Sequence, residues 1–259
     1  MRKIQLSQKE LLYSAVRTGA KDFIGVTDSS FRVNKKQFML VSLLAQSSLV
    51  EKGYAEFDTD DNFVLSSEIK KAIDICANCE TCIIVEERSK GKKPTRQLYY
   101  DKDSLIIKLQ QHDENITLIP IDTHETLVKD VLVGIKWEVP VPQFTSTMSL
   151  HNEILSKAKA CFSSADKANG VQVLIESGCP DTLANAIAEG LSGDAASLAV
   201  VAISLDKDKS TLRSVIFTDT KSGIIQLLSD STDDEVIQFK MTSSAEALKE
   251  IDDVLSRSS

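Results

Sequence analysis

Apolar and polar positions alternate along the chain in two distinct rhythms. Leu11, Leu12, Ala15 and Val16 follow Ser7 and Glu10 at helical spacing. Ser and Glu three apart form a capping box, so a helix is predicted from residue 8. Asn34 and Gln37 mark a second helix start, with Phe38, Val41, Ala45 and Leu49 on the inner face and Gly53 as the stop. Short strands are predicted at 54–57 and 63–65, around the acidic turn Asp58-Thr59-Asp60-Asp61. Ser66 or Ser67 then caps a helix with Ile69, Ala72, Ile73 and Cys76 inward. Extended runs follow at 81–87, 96–101, 104–110 and 116–121, separated by polar turns that suit an antiparallel meander. A helix over 125–133 closes this half.

The order then recurs. Pro140 and Pro142 oppose helix, so 140–149 reads as a crossing strand or linker. Leu150, Ile154, Leu155, Ala158 and Phe162 mark a helix, 171–177 suits either helix or strand, and Pro180-Asp181 opens another helix. Extended runs return at 197–205, 213–218, 223–228 and 235–241. Ser243 and Glu246 make a second capping box before Ala247, Leu248, Ile251, Val254 and Leu255. Ile106 and Ile107 lie 118 positions before Ile224 and Ile225, and Leu118, Ile119 and Ile121 lie the same 118 before Val236, Ile237 and Phe239. Any two meanders share some likeness, but helices, four strands and a helix in both halves point to one plan written twice. The expected fold is α+β, with halves at 1–139 and 150–259 joined through 140–149. Two half-sheets meeting edge to edge about a quasi-twofold axis would protect their exposed edges.

Charge narrows the partners. The 259 residues carry a net charge of −8, with 26% charged and 42% hydrophobic residues. An acidic balance opposes sequence-independent nucleic-acid binding, which needs clustered cations, and opposes an anionic membrane surface. No run approaches the ~18 apolar residues of a membrane helix. The N-terminal stretch has no apolar region followed by a cleavage site and reads as the start of the fold. Five Cys, an odd number, suit reduced thiols in the cytoplasm.

Catalytic constellations are sparse. Cys76, Cys79 and Cys82 carry two CxxC spacings, which could hold zinc or an iron–sulfur cluster. No fourth ligand is local, and Cys76 and Cys82 fall on core positions, where Cys serves as a small hydrophobe. His112, His124 and His151 are scattered outside any catalytic or ligand spacing. The acidic turns lack the ligand alternation of a calcium loop. No cofactor is expected. The strongest charge feature is the loop 88–96, with Arg88, Lys90, Lys92, Lys93 and Arg96: a solvated hairpin loop or a dock for an acidic partner.

Two resemblances bear on function. SLVEKGYAEFDTDDNFVLS looks like the end of a winged-helix module, which implies a DNA-binding regulator. The helix before it reads FMLVSLLAQ, poor in side chains that read base edges. Over residues 4 to 255 the order of elements, from a capped helix near LSQKEL to the helix LSSEIKKAI and onward, resembles the EspG-type chaperones of type VII secretion systems. That resemblance implies two α+β halves about a quasi-twofold axis. It also implies a cytosolic chaperone or adaptor binding the helical targeting domain of a secreted effector, as in a diverged branch serving LXG-type toxins. No family site residue is carried over. For such a role, Val171, Val173, Leu174 and Ile175 are candidate contacts, together with the basic loop 88–96.

Overall fold

The computed structural model describes residues 1–20, 23–26, 35–135, 146–164, 166–205, 210–229 and 235–256. Asn34, Pro140 and Pro142 lie outside the described residues, as do the polar turns 206–209 and 230–234.

Strand β1 (Ile4–Ser7) runs directly into α1 (Gln8–Thr18). The Ser7 hydroxyl accepts from the Glu10 amide at 3.2 Å, and the Ser7 amide donates to Glu10 Oε2 at 2.5 Å, completing the capping box. Helix α2 (Lys35–Glu51), the hairpin β2 (Ala55–Phe57) and β3 (Phe63–Leu65), and α3 (Ser67–Ala77) come next. The first meander is β4 (Thr81–Arg88), β5 (Thr95–Lys102), β6 (Leu105–His112) and β7 (Asn115–Ile121), closed by α4 (His124–Gly134). Strand β8 (Thr147–His151) then leads into α5 (Asn152–Ser163), α6 (Lys167–Glu176) and α7 (Asp181–Leu191). The second meander is β9 (Ala196–Leu205), β10 (Ser210–Thr220), β11 (Gly223–Ser229) and β12 (Val236–Thr242), followed by α8 (Ser244–Ser256). The Ser243 hydroxyl accepts from the Glu246 amide, the second expected capping box.

Ten strands form one antiparallel sheet in the order β1-β7-β6-β5-β4-β9-β10-β11-β12-β8. The two meanders meet where β4 pairs with β9. Outward from β4 come β5, β6, β7 and β1; outward from β9 come β10, β11, β12 and β8. Gln8 N–H donates to Glu114 O at 2.9 Å, and Asn152 N–H donates to Glu235 O at 2.7 Å, so each edge strand is anchored to the neighbouring hairpin in the same manner. Register refines the sequence spacing. Ile106 pairs with Ile121 and Ile224 with Thr242, so Ile121 occupies the place of Thr242 in its hairpin, not that of Phe239.

Two elements differ from the sequence expectation, and a third resolves an open alternative. Residues 4–7, read only as the start of the fold, form a strand with Ile4 and Leu6 buried. Leu150 belongs to β8, not to the helix after it. Residues 171–176 are helical, part of α6.

Apolar packing divides into three clusters. The first unites Leu98, Tyr100, Ile107 and Leu109 of the sheet with Leu11, Leu49, Ile69 and Ile73 of α1, α2 and α3. The third unites Ile225, Phe239 and Met241 with Leu155, Leu174, Leu183 and Ile187 of α5, α6 and α7. The second lies against the opposite sheet face, where Val85, Val200 and Phe217 pack with Leu127 of α4 and Ile251 of α8. Lys108, buried within the sheet, pairs with Asp130 of α4, and the Tyr99 hydroxyl donates to the same carboxylate at 2.7 Å.

Candidate partner-docking trough

Directly paired residues of an antiparallel sheet point to the same face. One such row runs Arg96, Glu86, Ala199, Ile216, Leu227, Phe239 across β5, β4, β9, β10, β11 and β12. A second runs Leu98, Ile84, Val201, Ser214. A third joins Cys82, Ile203 and Leu212. The rows begin under the N-terminal helices and the first ends under the C-terminal helices. Between those two helical layers no described element covers the sheet. Ile84, Ala199, Val201 and Ile203 are half-buried there, Leu212 is 67% exposed and Ile216 is 38% exposed.

The opposite phase of the same strands is closed. Leu198, Val200, Ala202, Val215 and Phe217 are buried beneath α4 and α8. A strand apolar on both faces normally has both faces covered. β9 is apolar on both, yet among the described residues only one face carries helices. The result is a trough with an apolar floor, helices α1 to α3 beyond one side and α5 to α7 beyond the other.

Polar side chains line its rims. Glu86 receives Arg96 Nη2 at 2.5 Å and Arg88 Nη2 at 2.6 Å. Arg96 holds its carboxyl below the usual carboxylate range; partial burial opposes this, and Arg88 adds to it. Arg96 also donates to Gly25 O at 3.2 Å, tying the 23–26 segment to the sheet. Gly25 sits at φ +80°, and a Cβ there would meet Leu98 Cδ2 at 2.7 Å. Only glycine permits both that backbone conformation and that approach. A cleft of about 290 Å³ opens here, lined by Gly25, Glu86, Arg88, Pro94, Arg96 and Leu98 among others. At the other rim, Lys90 Nζ reaches Asp194 Oδ1 at 2.5 Å, and Lys167 Nζ lies 3.5 Å from the second oxygen. Lys90 and the Ser192 hydroxyl hold the Asp194 carboxyl down to about 2.

The structure therefore brings part of the sequence-selected set together. Lys90 of the basic loop and Lys167 of α6 meet at Asp194, so the loop spans from the first half to the second. Lys92 and Lys93 are exposed at the loop tip. In α6, Val171, Val173 and Ile175 are half-buried against the third cluster. Leu174 is fully buried and belongs to the core rather than to a contact surface. The floor residues Ile84, Val201, Ile203, Leu212 and Ile216 were not singled out from sequence. Their signal was the two-phase apolarity of 197–205, which has meaning only once the helices are placed.

Cys76, Cys79 and Cys82 are buried in the first cluster. Burial pushes all three thiols up, Cys79 to about 11, so they stay protonated at neutral pH. Thiolate is the form a metal takes. Among the described residues no group of three or more His, Cys, Asp and Glu is arranged to hold a metal ion. No helix among them is long and apolar enough to cross a membrane.

No family model matches the chain, and no curated protein matches it in sequence. Among solved structures it resembles the Mycobacterium tuberculosis type VII secretion system chaperone EspG5, determined in complex with a PE25-PPE41 dimer. The TM-score is 0.70 at 11% identity, covering 99% of this chain and 96% of that chain. The likeness is one of fold.

Proposed function

We propose that this protein is a cytoplasmic chaperone or adaptor for a type VII secretion substrate, keeping it soluble and competent for export. The observation that carries this reading is the bare apolar strip along β4, β9 and β10, framed by two helical layers and polar rims. Exposed contiguous apolar surface of this kind marks an interaction site. The fold shared with EspG5, a chaperone solved with its substrate pair, supports the same reading. The fitting partner is a helical tip of a secreted effector, with apolar side chains for the floor and polar groups for the Arg88–Arg96 and Lys90–Asp194 rims.

The DNA-binding alternative has less support. Helices α1 and α2 and the β2–β3 hairpin follow one another as in a winged helix, but the outward residues Met39, Leu40, Leu43 and Leu44 of α2 are apolar. A recognition helix presents polar and basic groups to bases.

Co-expression with each helical secreted protein encoded beside it provides the test. A stable complex on gel filtration that Leu212→Asp abolishes is the expected result. Failure to bind every such substrate overturns the proposal, and retention on DNA at low salt would favour the alternative.

A further inference from the structure

The cleft at the Arg88–Arg96 rim has a chemistry of its own. Arg88 Nε and Nη2 reach Glu86 Oε1 at 2.7 and 2.6 Å, and Arg96 Nε and Nη2 reach Glu86 Oε2 at 3.1 and 2.5 Å. Each carboxylate oxygen faces two donors, so Glu86 has no acceptor capacity left to offer. The guanidiniums do, each having five N–H groups. Arg96 places Nη1 on Gly25 O, while Arg88 Nη1 has no acceptor among the described residues. The Glu86 side chain is only 13% exposed, against 68% for Arg88 and 40% for Arg96, so the cations face the incoming ligand. Two cations and one anion leave a single positive charge at the mouth.

Beneath that charge the cleft is apolar. The buried Leu98 and Leu109 line it together with Pro94 and Gly25. Its volume of about 290 Å³ admits a short apolar stem below a polar head. The matching head is a planar monoanion that accepts from a guanidinium fork, which is a carboxylate. A dianionic phosphate would overcharge the mouth and lie against Glu86.

The place of the cleft along the trough adds a spacing. The open strip runs along β4, β9 and β10 between the two helical layers, so a helix seated in it lies along the strands. Glu86 pairs with Ala199, Ile84 with Val201 and Cys82 with Ile203, which in turn pairs with Leu212. Alternate strand residues are about 6.8 Å apart, so the mouth lies about 7 Å from the Ile84–Val201 level and about 14 Å from the Leu212 level. On a helix these lengths are about five and about nine residues.

We propose that this cleft is a carboxylate-recognition subsite, filled by an Asp or Glu of the docked effector helix. That residue lies about five positions from the apolar side chain over Ile84 and Val201, and about nine from the one over Leu212. The helix as occupant rests on the chaperone reading; the preference for a carboxylate does not.

Two titrations test it. In the first, the full chain receives phenylacetate or its uncharged amide, phenylacetamide, and the backbone NMR signals of Gly25 and Arg96 are followed. Phenylacetate should shift them saturably, and phenylacetamide should not. Arg88 is largely exposed, so Arg88→Gln keeps the fold, and it should weaken phenylacetate about tenfold. Leu212→Asp should leave the response unchanged. In the second, each Asp and Glu of a bound effector helix is changed to its amide, and affinity is measured against the wild type and Arg88→Gln. One acidic position should cost about tenfold, and that cost should vanish with Arg88→Gln. Where a complex forms, the absence of any acidic position coupled to Arg88 overturns the proposal and leaves the chaperone reading standing. Where no effector binds, the chaperone reading falls and the first titration decides the cleft. No response to phenylacetate, an equal response to phenylacetamide, tighter binding of inorganic phosphate, or indifference to Arg88→Gln then overturns the proposal.

Discussion

Ile84 of β4 stands directly opposite Val201 of β9, where the two meanders join into one sheet. Both side chains point into the trough and both remain half-buried. Their chain neighbours Val85 and Val200 form the next pair, point the other way and are sealed beneath α8. One strand pair thus serves as core on one face and as open floor on the other.

That difference separates stability from binding. Leu212→Asp changes a side chain that is 67% exposed, so folding stability should move by less than about 0.5 kcal/mol. Binding of a substrate seated on the floor should weaken by about 2 kcal/mol or more, the scale of a central interface residue. Phe217→Ala, on the sealed face, should instead cost about 3–5 kcal/mol of stability. Thermal denaturation with calorimetric titration of the substrate distinguishes the two.

Asp194→Asn should release the 88–96 loop. Lys90 is the main tie between that loop and the second half, and Asp194 also accepts from Ser192 and meets Lys167. Lys93 precedes Pro94 and resists cleavage, whereas Lys90 and Lys92 between β4 and β5 are trypsin sites. The variant should be cleaved there faster than the wild type, with an unchanged melting temperature. Because the Asp194 carboxyl is held down to about 2, the tie persists well below neutral pH and is lost only as pH falls through that value. Salt should weaken it, since the pair is solvent-exposed. Proteolysis across ionic strength and the pH dependence of the Asp194 carboxyl signal check both points.

Much of the scaffold was legible because it rests on local rules. Ser7 with Glu10 and Ser243 with Glu246 announce two helix starts, and both boxes form. The period-two runs located all eight meander strands. What local rules do not carry is which strand of one half meets which of the other. β1 was missed because four residues with two buried side chains give too little alternation to read, and β8, with Leu150 its one buried side chain, lies at the end of the segment read as a crossing strand or linker, with Leu150 assigned to the helix after it. The docking floor was hidden for a different reason. Val201 and Ile203 look like ordinary core from sequence, and only the positions of α3 and α7 leave them uncovered.

Gly170→Ala should destabilise the C-terminal helical layer. A Cβ at Gly170 in α6 would lie 2.2 Å from Phe162 Cε1 in α5. No rotation of a methyl relieves that approach, so Phe162 must swing out or the helices must separate. A cost of about 1–3 kcal/mol is expected, as for overpacking elsewhere. Gly170→Ala with Phe162→Leu should recover part of it, which a double-mutant denaturation cycle measures.

The last prediction concerns Glu10, only 2% exposed in α1. Burial alone would raise its pKa. Hydrogen bonds from Lys52 and Ser48, with the Ser7 amide, outweigh burial and hold the carboxyl below its ordinary value. A depressed folded pKa means that the carboxylate contributes stability above its unfolded value of about 4.3, and that this is lost as pH falls through the folded value. Lys52 lies 2.8 Å from Glu10 Oε2 and keeps 38% of its side chain exposed. Lys52→Met preserves most of its apolar stem and removes the charge, so it should cost about 2 kcal/mol at neutral pH. The gap between wild type and variant should narrow as both proteins are taken below about pH 4, because protonated Glu10 no longer needs the ammonium. Urea denaturation across that range is the measurement. A gap that stays constant with pH would show that Lys52 acts through packing of its stem and not through the carboxylate.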